Sequence, residues 1–329
     1  MQNKDTLAIV IPVYNVEKYI CSALNSVLNQ TIKPEQIIIV DDGSTDKSAQ
    51  LIELIVRDAE NITFVKKNNG GLSSARNYGF SFVNTEYVYF FDSDDILKDD
   101  FVADFKDVLS RHRNIDLYSF SGESFYDAPE VNAPKLPSYK RIIDGCYLDA
   151  DDYFYNLLET NSYFSSICLN VFRTNVLRDN QLCFKNIIHE DEEFLPQAIF
   201  LSKGFYINKD VYFLRRIRGA SIMTSPKSEK NIIGYLETLS VYLKIINLLS
   251  KNKISLSANL LQNRFDEYVV YINKIVIDNN LKLSDLSESD LSLYERHQLK
   301  GRYKTVLIKR APRLYKMLFK IKNILMRIK

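Results

Sequence analysis

The sequence contains few cysteines, and their arrangement argues against a zinc site. Only four occur in 329 residues, and no two of them form a C-x-x-C pair. Zinc sites in proteins use closely spaced pairs of this kind. We expect most of the cysteines to be small buried side chains in a reducing compartment. They are Cys21, Cys146, Cys168 and Cys183.

Long apolar segments are also missing. No uninterrupted apolar run approaches the roughly 18 residues that a transmembrane helix requires. Residues 1–5 pass into a predicted strand rather than into a signal peptide. We therefore expect a cytosolic protein, or one that rests on a membrane without crossing it. With 46% apolar and 26% charged residues, the composition is that of a globular protein, and the length predicts one large α/β domain plus an extension.

The last thirty residues lack acidic side chains altogether. Residues 300–329 carry eleven Lys or Arg, whereas the whole chain has a net charge of only +2, so the rest of the chain is acidic. Apolar residues in this tail fall on one helical stripe, interrupted at Pro312, which predicts a cationic amphipathic helix on an anionic membrane. The alternative is a helix packed on the body with a solvated basic face. No recognition motif for nucleic acid accompanies the charge, and we expect no nucleic-acid partner.

Apolar runs of strand length alternate with segments of helical period in the first hundred residues. The runs are continuous, as in strands covered on both faces. This order predicts a doubly wound, mostly parallel sheet with helices on both faces. We expect Pro12 to end the pairing of the first strand, and Ser44 or Thr45 to cap the second helix. The predicted strands are 7–13, 36–40, 62–65 and 87–91, and the predicted helices are 17–30, one after 46 and one starting near 72.

Acidic residues follow two of these strands directly. Asp41 and Asp42 follow the second strand, and Asp92 and Asp94 follow the fourth. In open α/β sheets the ligand crevice lies outside the carboxyl ends of the strands. Asp92 and Asp94 can both direct oxygen ligands at one Mg²⁺ or Mn²⁺ that also binds substrate phosphates. The alternative is an acidic surface turn.

The phosphate-binding glycine motifs are absent. Neither acidic pair follows G-x-G-x-x-G or G-x-x-x-x-G-K-[ST]. Dinucleotide and P-loop sites therefore lose their main support. The remaining interpretation is a site that holds a nucleotide through hydrogen bonds to carboxylates and through a metal-bridged diphosphate.

Five sequence blocks, in this order, resemble those of family 2 glycosyltransferases. Together they cover most of residues 7–95. The resemblance implies the GT-A fold and a UDP-sugar donor. The blocks are 9–15 (IVIPVYN), 27–31 (VLNQT), 39–46 (IVDDGSTD), 70–79 (GGLSSARNYG) and 91–95 (FDSDD).

The resemblance implies a role for each residue of the nucleoside pocket. Pro12, Tyr14 and Glu17 would line the pocket, with Tyr14 near the base. Asp41 would accept a hydrogen bond from the uracil ring N–H, and Asp42 would support it. Tyr14 could instead pack against the edge of the sheet, and Asp42 could be a turn acid.

The resemblance also implies a diphosphate and metal site. Arg76 would lie near the diphosphate or base, because its fixed fork of donors suits oxygen-rich ligands. Asp94 would be the direct metal ligand, and Asp92 would contact the ribose or the water shell of the metal. Ser93 belongs to the same motif.

The acidic segment 189–193 contains the expected general base. The family has a Glu-Asp pair at this distance from the metal motif, and Asp191 matches its Asp. A carboxylate against the acceptor hydroxyl would take its proton, a contribution of about 10²–10⁴ in rate. His189 would orient the acceptor or approach the metal, or would be a half-buried loop histidine. Glu192 and Glu193 fit a solvated first helical turn.

Three arginines follow at the end of the predicted catalytic part, and two of them match a family motif. In segment 212–222, Arg216 and Arg218 match a family loop that closes over the diphosphate, although a basic surface loop is the alternative. The Q-x-x-R-W signature of processive synthases is absent, which favours transfer of a single sugar. Five aromatic residues near 153–164 could stack on sugars or form core: Tyr153, Phe154, Tyr155, Tyr163 and Phe164.

The resemblance and the basic tail together imply a metal-dependent inverting glycosyltransferase on the cytoplasmic face of the bacterial inner membrane. It would move one sugar from a UDP-sugar to a glycan or lipid-linked oligosaccharide in the synthesis of capsule, lipopolysaccharide or a related surface glycan. A catalytically silent sugar-nucleotide-binding protein is the alternative, whereas a nucleotidyltransferase would need a phosphate loop after the first strand. The predicted domains are 1–225 (nucleotide half 1–98, acceptor half 99–225), a helical extension 226–299 and the basic tail 300–329.

Overall fold

The chain divides into two units by the contacts between its residues. In the computed structural model, residues 5–57, 61–127, 136–217, 227–251, 255–282 and 286–300 are described. Unit 1 comprises Met1–Asn186 and Glu190–Thr224, and unit 2 comprises Ile187–His189 and Ser225–Lys329. Arg218 and nearly all of the basic tail 300–329 lie outside the described residues. The predicted binding of the tail to a membrane therefore stays a prediction.

Four parallel strands form the first half of the sheet in unit 1. Their spatial order is β3-β2-β1-β4, and every residue of β1 is buried. This arrangement confirms the predicted doubly wound α/β sheet. The strands are β1 (Leu7–Val13), β2 (Gln36–Asp41), β3 (Ile62–Lys66) and β4 (Tyr87–Phe90).

The expectation that Pro12 ends the pairing of β1 is wrong. Pairing with β2 continues to Val13, which lies opposite Asp41. Pairing with β4 ends earlier, where Val10 accepts a hydrogen bond from the Phe91 N–H. Residues of a parallel strand alternate between their two neighbours, so Pro12 faces the β4 side, like Val10. Its missing N–H therefore costs no bond to β2.

Three helices connect these strands: α1 (Ile20–Leu28), α2 (Ser48–Val56) and α3 (Leu72–Phe80). The expected cap of α2 by Ser44 or Thr45 is wrong, because α2 begins at Ser48, whose N–H donates to Asp46 Oδ1 over 2.9 Å. Helix α3 lies so close to the sheet that a Cβ on Gly79 would meet the Val10 side chain at 2.5 Å. Only glycine permits this approach.

The second half of the sheet is mixed. The order continues from β4 as β8-β6-β9-β5, with β7 paired to β9. Strand β8 is antiparallel to both β4 and β6, whereas β6 and β9 are parallel. The strands are β5 (Ile96–Leu97), β6 (Leu117–Tyr126), β7 (Gly145–Tyr147), β8 (Asn170–Arg173) and β9 (Phe205–Ile217).

Helices α4 to α7 complete unit 1, and aromatic rings fill its core. Tyr89, Phe101 and Phe120 are fully buried, with ring centroids 5.0 and 4.9 Å apart along the series. Tyr153 and Phe154 are also fully buried, so for these two the core interpretation is confirmed. The helices are α4 (Phe101–Arg111), α5 (Ala150–Glu159), α6 (Thr174–Asp179) and α7 (Glu190–Leu201).

Two predictions of burial are wrong. Of the cysteines only Cys168 is buried, whereas Cys146 and Cys183 are exposed and Cys21 is intermediate. Glu193 is not solvated but 1% exposed, with its Oε1 3.0 Å from Lys185 Nζ. Burial of this kind depends on which elements pack together, and residue type alone does not encode it.

Unit 2 confirms the predicted helical extension. Its helices are α8 (Glu229–Leu249), α9 (Ala258–Asp278) and α10 (Glu288–Lys300). Among the described residues, α8 alone is long and apolar enough to span a bilayer, but 56% of that stretch is buried inside the protein. This burial is also typical of a core helix.

One histidine of unit 2 has a pKa that burial changes strongly. His297 on α10 is 1% exposed, its Nε2 lies 3.2 Å from the Leu236 carbonyl oxygen, and no described residue bonds to its Nδ1. Burial lowers the pKa of His297 to about 4, and Arg296 adds to this effect. The folded protein therefore holds this imidazole neutral over a range in which the unfolded chain binds a proton.

Because the folded pKa is below the unfolded value of about 6.5, His297 should contribute full stability above pH 6.5 and lose it as the pH falls to about 4. The loss in unfolding free energy should be about 3 kcal/mol or less. H297Q keeps an amide donor but does not titrate, so its stability should fall less over this range. Urea unfolding of both proteins from pH 7 to pH 4 measures the difference. Parallel curves for the two proteins would contradict the assignment.

Candidate active site

A tight turn at the end of β4 presents the acidic motif. The Asp95 N–H donates to the Asp92 carbonyl oxygen over 3.3 Å, which closes the turn. The side chain of Asp92 is 34% exposed, and Asp94 is half-buried. Ser93 and Asp95 are buried, and Asp95 Oδ1 accepts from the Arg216 N–H at 2.7 Å. Burial raises the pKa of Asp95 well above its usual range, so Asp92 and Asp94 are the acids presented at the surface.

Arg216, which belongs to strand β9, fixes this turn. Its Nε donates to the Asp94 carbonyl oxygen over 2.8 Å, and its NH1 donates to Asp127 Oδ1 over 2.9 Å. The guanidinium also lies 4.7 Å from the ring centre of Phe125. The prediction of a loop from residue 212 is wrong up to Ile217, because these residues belong to β9. A contact between Arg216 and the diphosphate stays a prediction.

Arg76 joins residues that lie far apart in the sequence. Its NH2 donates to Asp92 Oδ1 over 3.0 Å, and its NH1 donates to Glu190 Oε1 over 2.8 Å and to Asp191 Oδ1 over 2.9 Å. The Arg76 side chain is 1% exposed. The structure thus brings together three predicted site residues, Arg76, Asp92 and Asp191. The partners of the guanidinium are carboxylates. No role was predicted for Glu190, although its position beside Asp191 was a signal.

The antiparallel course of β8 explains why these residues meet. Val171 of β8 lies opposite Tyr89 of β4. Residues just before β8 therefore lie beside residues just after β4. One of them, Ile167, donates its N–H to Asp191 Oδ2 over 3.1 Å. Both oxygens of Asp191 are thus positioned, one by Arg76 and one by the backbone.

Asp191 has the properties of a base near neutral pH. Its side chain is 24% exposed. Burial raises the pKa of Asp191 to about 7, since it outweighs the opposing effect of Arg76 and is reinforced by the charges of Glu190 and Asp92. A general base works best when its pKa is close to the working pH.

His189 belongs to unit 2. It has a positive φ of 71°, it stacks on Tyr235 at 4.1 Å between ring centres, and its Nε2 lies 3.2 Å from Asn231 Nδ2. It is half-buried in a loop, which agrees with the plainer of the two interpretations. A contact between His189 and substrate stays a prediction.

The predicted nucleoside residues lie around the loop after β1. Pro12 is buried within β1, whereas Tyr14 is 50% exposed. Tyr14 is therefore not packed into the core, and its ring is accessible. Glu17 Oε2 accepts from the Lys47 N–H at 2.9 Å, and Asn15 Oδ1 accepts from the Thr45 N–H at 2.8 Å. These bonds tie the loop after β1 to the loop after β2.

The acids after β2 have different surroundings. Asp41 is 3% exposed, and its Oδ1 accepts from the Ser44 N–H at 3.0 Å. Asp42 is 2% exposed, with Lys67 Nζ 2.5 Å from Oδ1 and the Gly71 N–H 2.7 Å from Oδ2. Asp42 thus holds the turn that leads into α3. Lys67 was missed because nothing in a local pattern pairs it with an acid 25 positions away.

The acids of the β4 turn fit a divalent cation that is shared with a substrate. Carboxylate oxygens are hard ligands of the kind that Mg²⁺ and Mn²⁺ prefer. Over the described ranges, no group of three or more His, Cys, Asp or Glu could hold a metal ion. Asp92 and Asp94 are the residues that would hold such an ion, and phosphate oxygens of a substrate would supply further ligands.

Asp42→Ala should destabilise the protein by about 3 kcal/mol, because it leaves Lys67 without its carboxylate and two backbone N–H groups without an acceptor. Glu53→Ala is the matched control, since it breaks an ion pair with Lys66 whose partners are more than half exposed. The control should cost less than about 1 kcal/mol. Chemical unfolding measures both. Equal losses for the two variants would show that Asp42 does not fix the turn.

Sequence comparison places the chain among bacterial glycosyltransferases. The model of "Glycosyl transferase family 2" matches residues 8–140. The chain is similar to the minor teichoic acid biosynthesis protein GgaB of Bacillus subtilis, with 28% identity over 86% of this chain. It spans only 30% of the length of GgaB.

An uncharacterized glycosyltransferase of Haemophilus influenzae is 32% identical over 60% of this chain and 73% of its own length. Among solved structures, S. aureus TarS 1-349 in complex with UDP-GlcNAc superposes with a TM-score of 0.61 and 20% identity, over 91% of each chain. The likeness to TarS shows that the fold is of the GT-A type. Together with the ordered blocks and the joined acids, these matches identify the chain as a member of glycosyltransferase family 2.

Proposed function

We propose that the chain is a metal-dependent inverting glycosyltransferase that moves one sugar from a UDP-sugar to a glycan or lipid-linked oligosaccharide. The observation that carries this proposal is the bonding of Asp92 and Asp191 to one guanidinium, that of Arg76. It places a carboxylate of the metal motif beside a carboxylate suited to act as a base. In the proposed reaction the first holds the donor and the second activates the acceptor hydroxyl.

The relatives support the donor and the product class. TarS was solved with UDP-GlcNAc, and GgaB is named for teichoic acid biosynthesis. A UDP-sugar donor and a surface-glycan product therefore suit this chain. We place this reaction at the cytoplasmic face of the bacterial inner membrane, to which the basic tail 300–329 would bind.

The proposed reaction is a single displacement. A divalent cation bound by Asp94, with Asp92 beside it, would act as a Lewis acid toward the leaving diphosphate. Asp191 removes the proton of the acceptor hydroxyl as that oxygen attacks the anomeric carbon. The bond from the anomeric carbon to the phosphate oxygen breaks, and its electron pair leaves with UDP. Attack from the opposite face converts an α-linked donor sugar into a β-linked product.

Asp191→Ala should reduce transfer by about 10²-fold or more even at saturating UDP-sugar, because the base acts in the chemical step. Asp94→Ala should weaken the binding of UDP with Mn²⁺ and also reduce transfer. Calorimetric binding and product formation measure the two effects. The matched control is Asp99→Ala, which removes an exposed acid near the same turn. Near-parental transfer by D191A, or unchanged UDP–Mn²⁺ affinity in D94A, would contradict the assigned roles.

The transfer rate should rise with pH and level off above about 7. Below the pKa of Asp191, which burial raises to about 7, the carboxyl is protonated and cannot accept the acceptor's proton. The rate should therefore fall about tenfold for each pH unit in the acid range. Initial rates from pH 5 to pH 8.5, with UDP binding measured at each pH, separate this effect from donor binding. A flat profile would argue against Asp191 as the base.

A further inference from the structure

One guanidinium in unit 1 is shared by three carboxylates. Arg76 bonds to Asp92 through NH2 and to both Glu190 and Asp191 through NH1. It is buried, and it lies 5.2 Å from the ring centre of Phe184. A guanidinium that moved toward one of these acids would weaken its bonds to the others. The positions of the three acids are therefore linked.

Arg76 has little freedom to absorb a displacement. A guanidinium is planar, and its donors have a fixed geometry. The helix that carries it is fixed as well, because Gly79 lies directly against Val10 and Asp42 holds the Gly70 and Gly71 N–H groups. A change at Asp92 is thus transmitted to Asp191 rather than lost in a mobile side chain.

The cluster is also unbalanced in charge. Three carboxylates face one guanidinium, which leaves an excess of negative charge that favours a cation. Neutralising Asp191 would reduce this excess directly. It would also let Arg76 bind Asp92 more strongly, in competition with a cation. Only the second effect depends on the shape of the arginine.

We propose that Arg76 is a positioning residue that couples the donor carboxylate Asp92 to the acceptor base Asp191. Binding of a cation and diphosphate at Asp92 changes the strength of the bond between Arg76 and Asp191. In return, the strength of that bond changes the affinity of the site for the donor. This inference rests on the proposed function, since it takes a UDP-bound cation as the ligand of Asp92. It assigns to Arg76 a role through carboxylates in place of direct contact with the diphosphate.

The test is a double-mutant cycle read out by binding rather than activity. The dissociation constant of UDP with Mn²⁺ is measured calorimetrically for the parent, D191N, R76K and D191N/R76K. D191N should weaken binding in the presence of Arg76, and this factor should be about fivefold smaller in the R76K background. Lysine keeps the positive charge but cannot bridge three carboxylates as a fork does. The residual effect in R76K is the direct loss of charge.

The matched control is D116N, because Asp116 Oδ1 likewise accepts from an arginine, Arg173 Nε, over 2.8 Å. It should leave UDP–Mn²⁺ affinity within about twofold of the parent in both backgrounds. The coupling would be overturned if D191N raised the dissociation constant of UDP with Mn²⁺ by the same factor with and without R76K. It would also be overturned if D191N had no effect on that constant in the parent. Failure of the parent to bind UDP with Mn²⁺ would instead overturn the assigned donor, and the coupling with it.

A second variant keeps the test decisive if thermal unfolding shows that R76K does not fold. E190Q removes one of the two acids that share NH1 of Arg76. The guanidinium then serves two carboxylates in place of three, so the factor by which D191N weakens binding should be larger in E190Q than in the parent. A factor that is equal or smaller would overturn the proposal.

Discussion

The site depends on how the fold neutralises carboxylates at the ends of buried strands. An ionised acid taken out of water is costly unless it is paired or hydrogen-bonded. Four acids here have a specific partner: Asp42 has Lys67, Asp95 has the Arg216 N–H, and Asp92 and Asp191 have Arg76. The partners come from other strands and helices. The architecture around the site is therefore an arrangement of cations and N–H groups about acids.

The two halves of the sheet contribute different parts of this arrangement. The parallel half supplies Asp41, Asp42 and the turn after β4, all at the carboxyl ends of strands. The mixed half supplies the Ile167 N–H, Asp191 and Arg216. Strand β8 joins the halves, because its antiparallel pairing with β4 brings its beginning beside the acidic turn. A wholly parallel continuation of the sheet would have placed that end of β8 at the opposite edge.

The sequence predicts the parallel half well and the partners of the acids poorly. Continuous apolar runs identify β1 to β4, because covered strands need apolar residues on both faces. Lys67 and the role of Arg216 do not follow from any local pattern, since each depends on a pairing between distant segments. The bond of Glu190 to Arg76 depends on such a pairing too. The cysteines and Glu193 show the same limit. Their burial is decided by packing between elements rather than by residue type.

The bonds from Arg216 to Asp94 and Asp95 also have a consequence for biosynthesis. They span 122 and 121 positions of the chain. During translation the acidic turn leaves the ribosome long before β9 is made, so the turn is exposed without its clamp for the time needed to add those residues. At about 5–20 residues per second this interval lasts several seconds or more. The clamp on the acidic turn is thus completed only after all four parallel strands of the amino-terminal half have been synthesised.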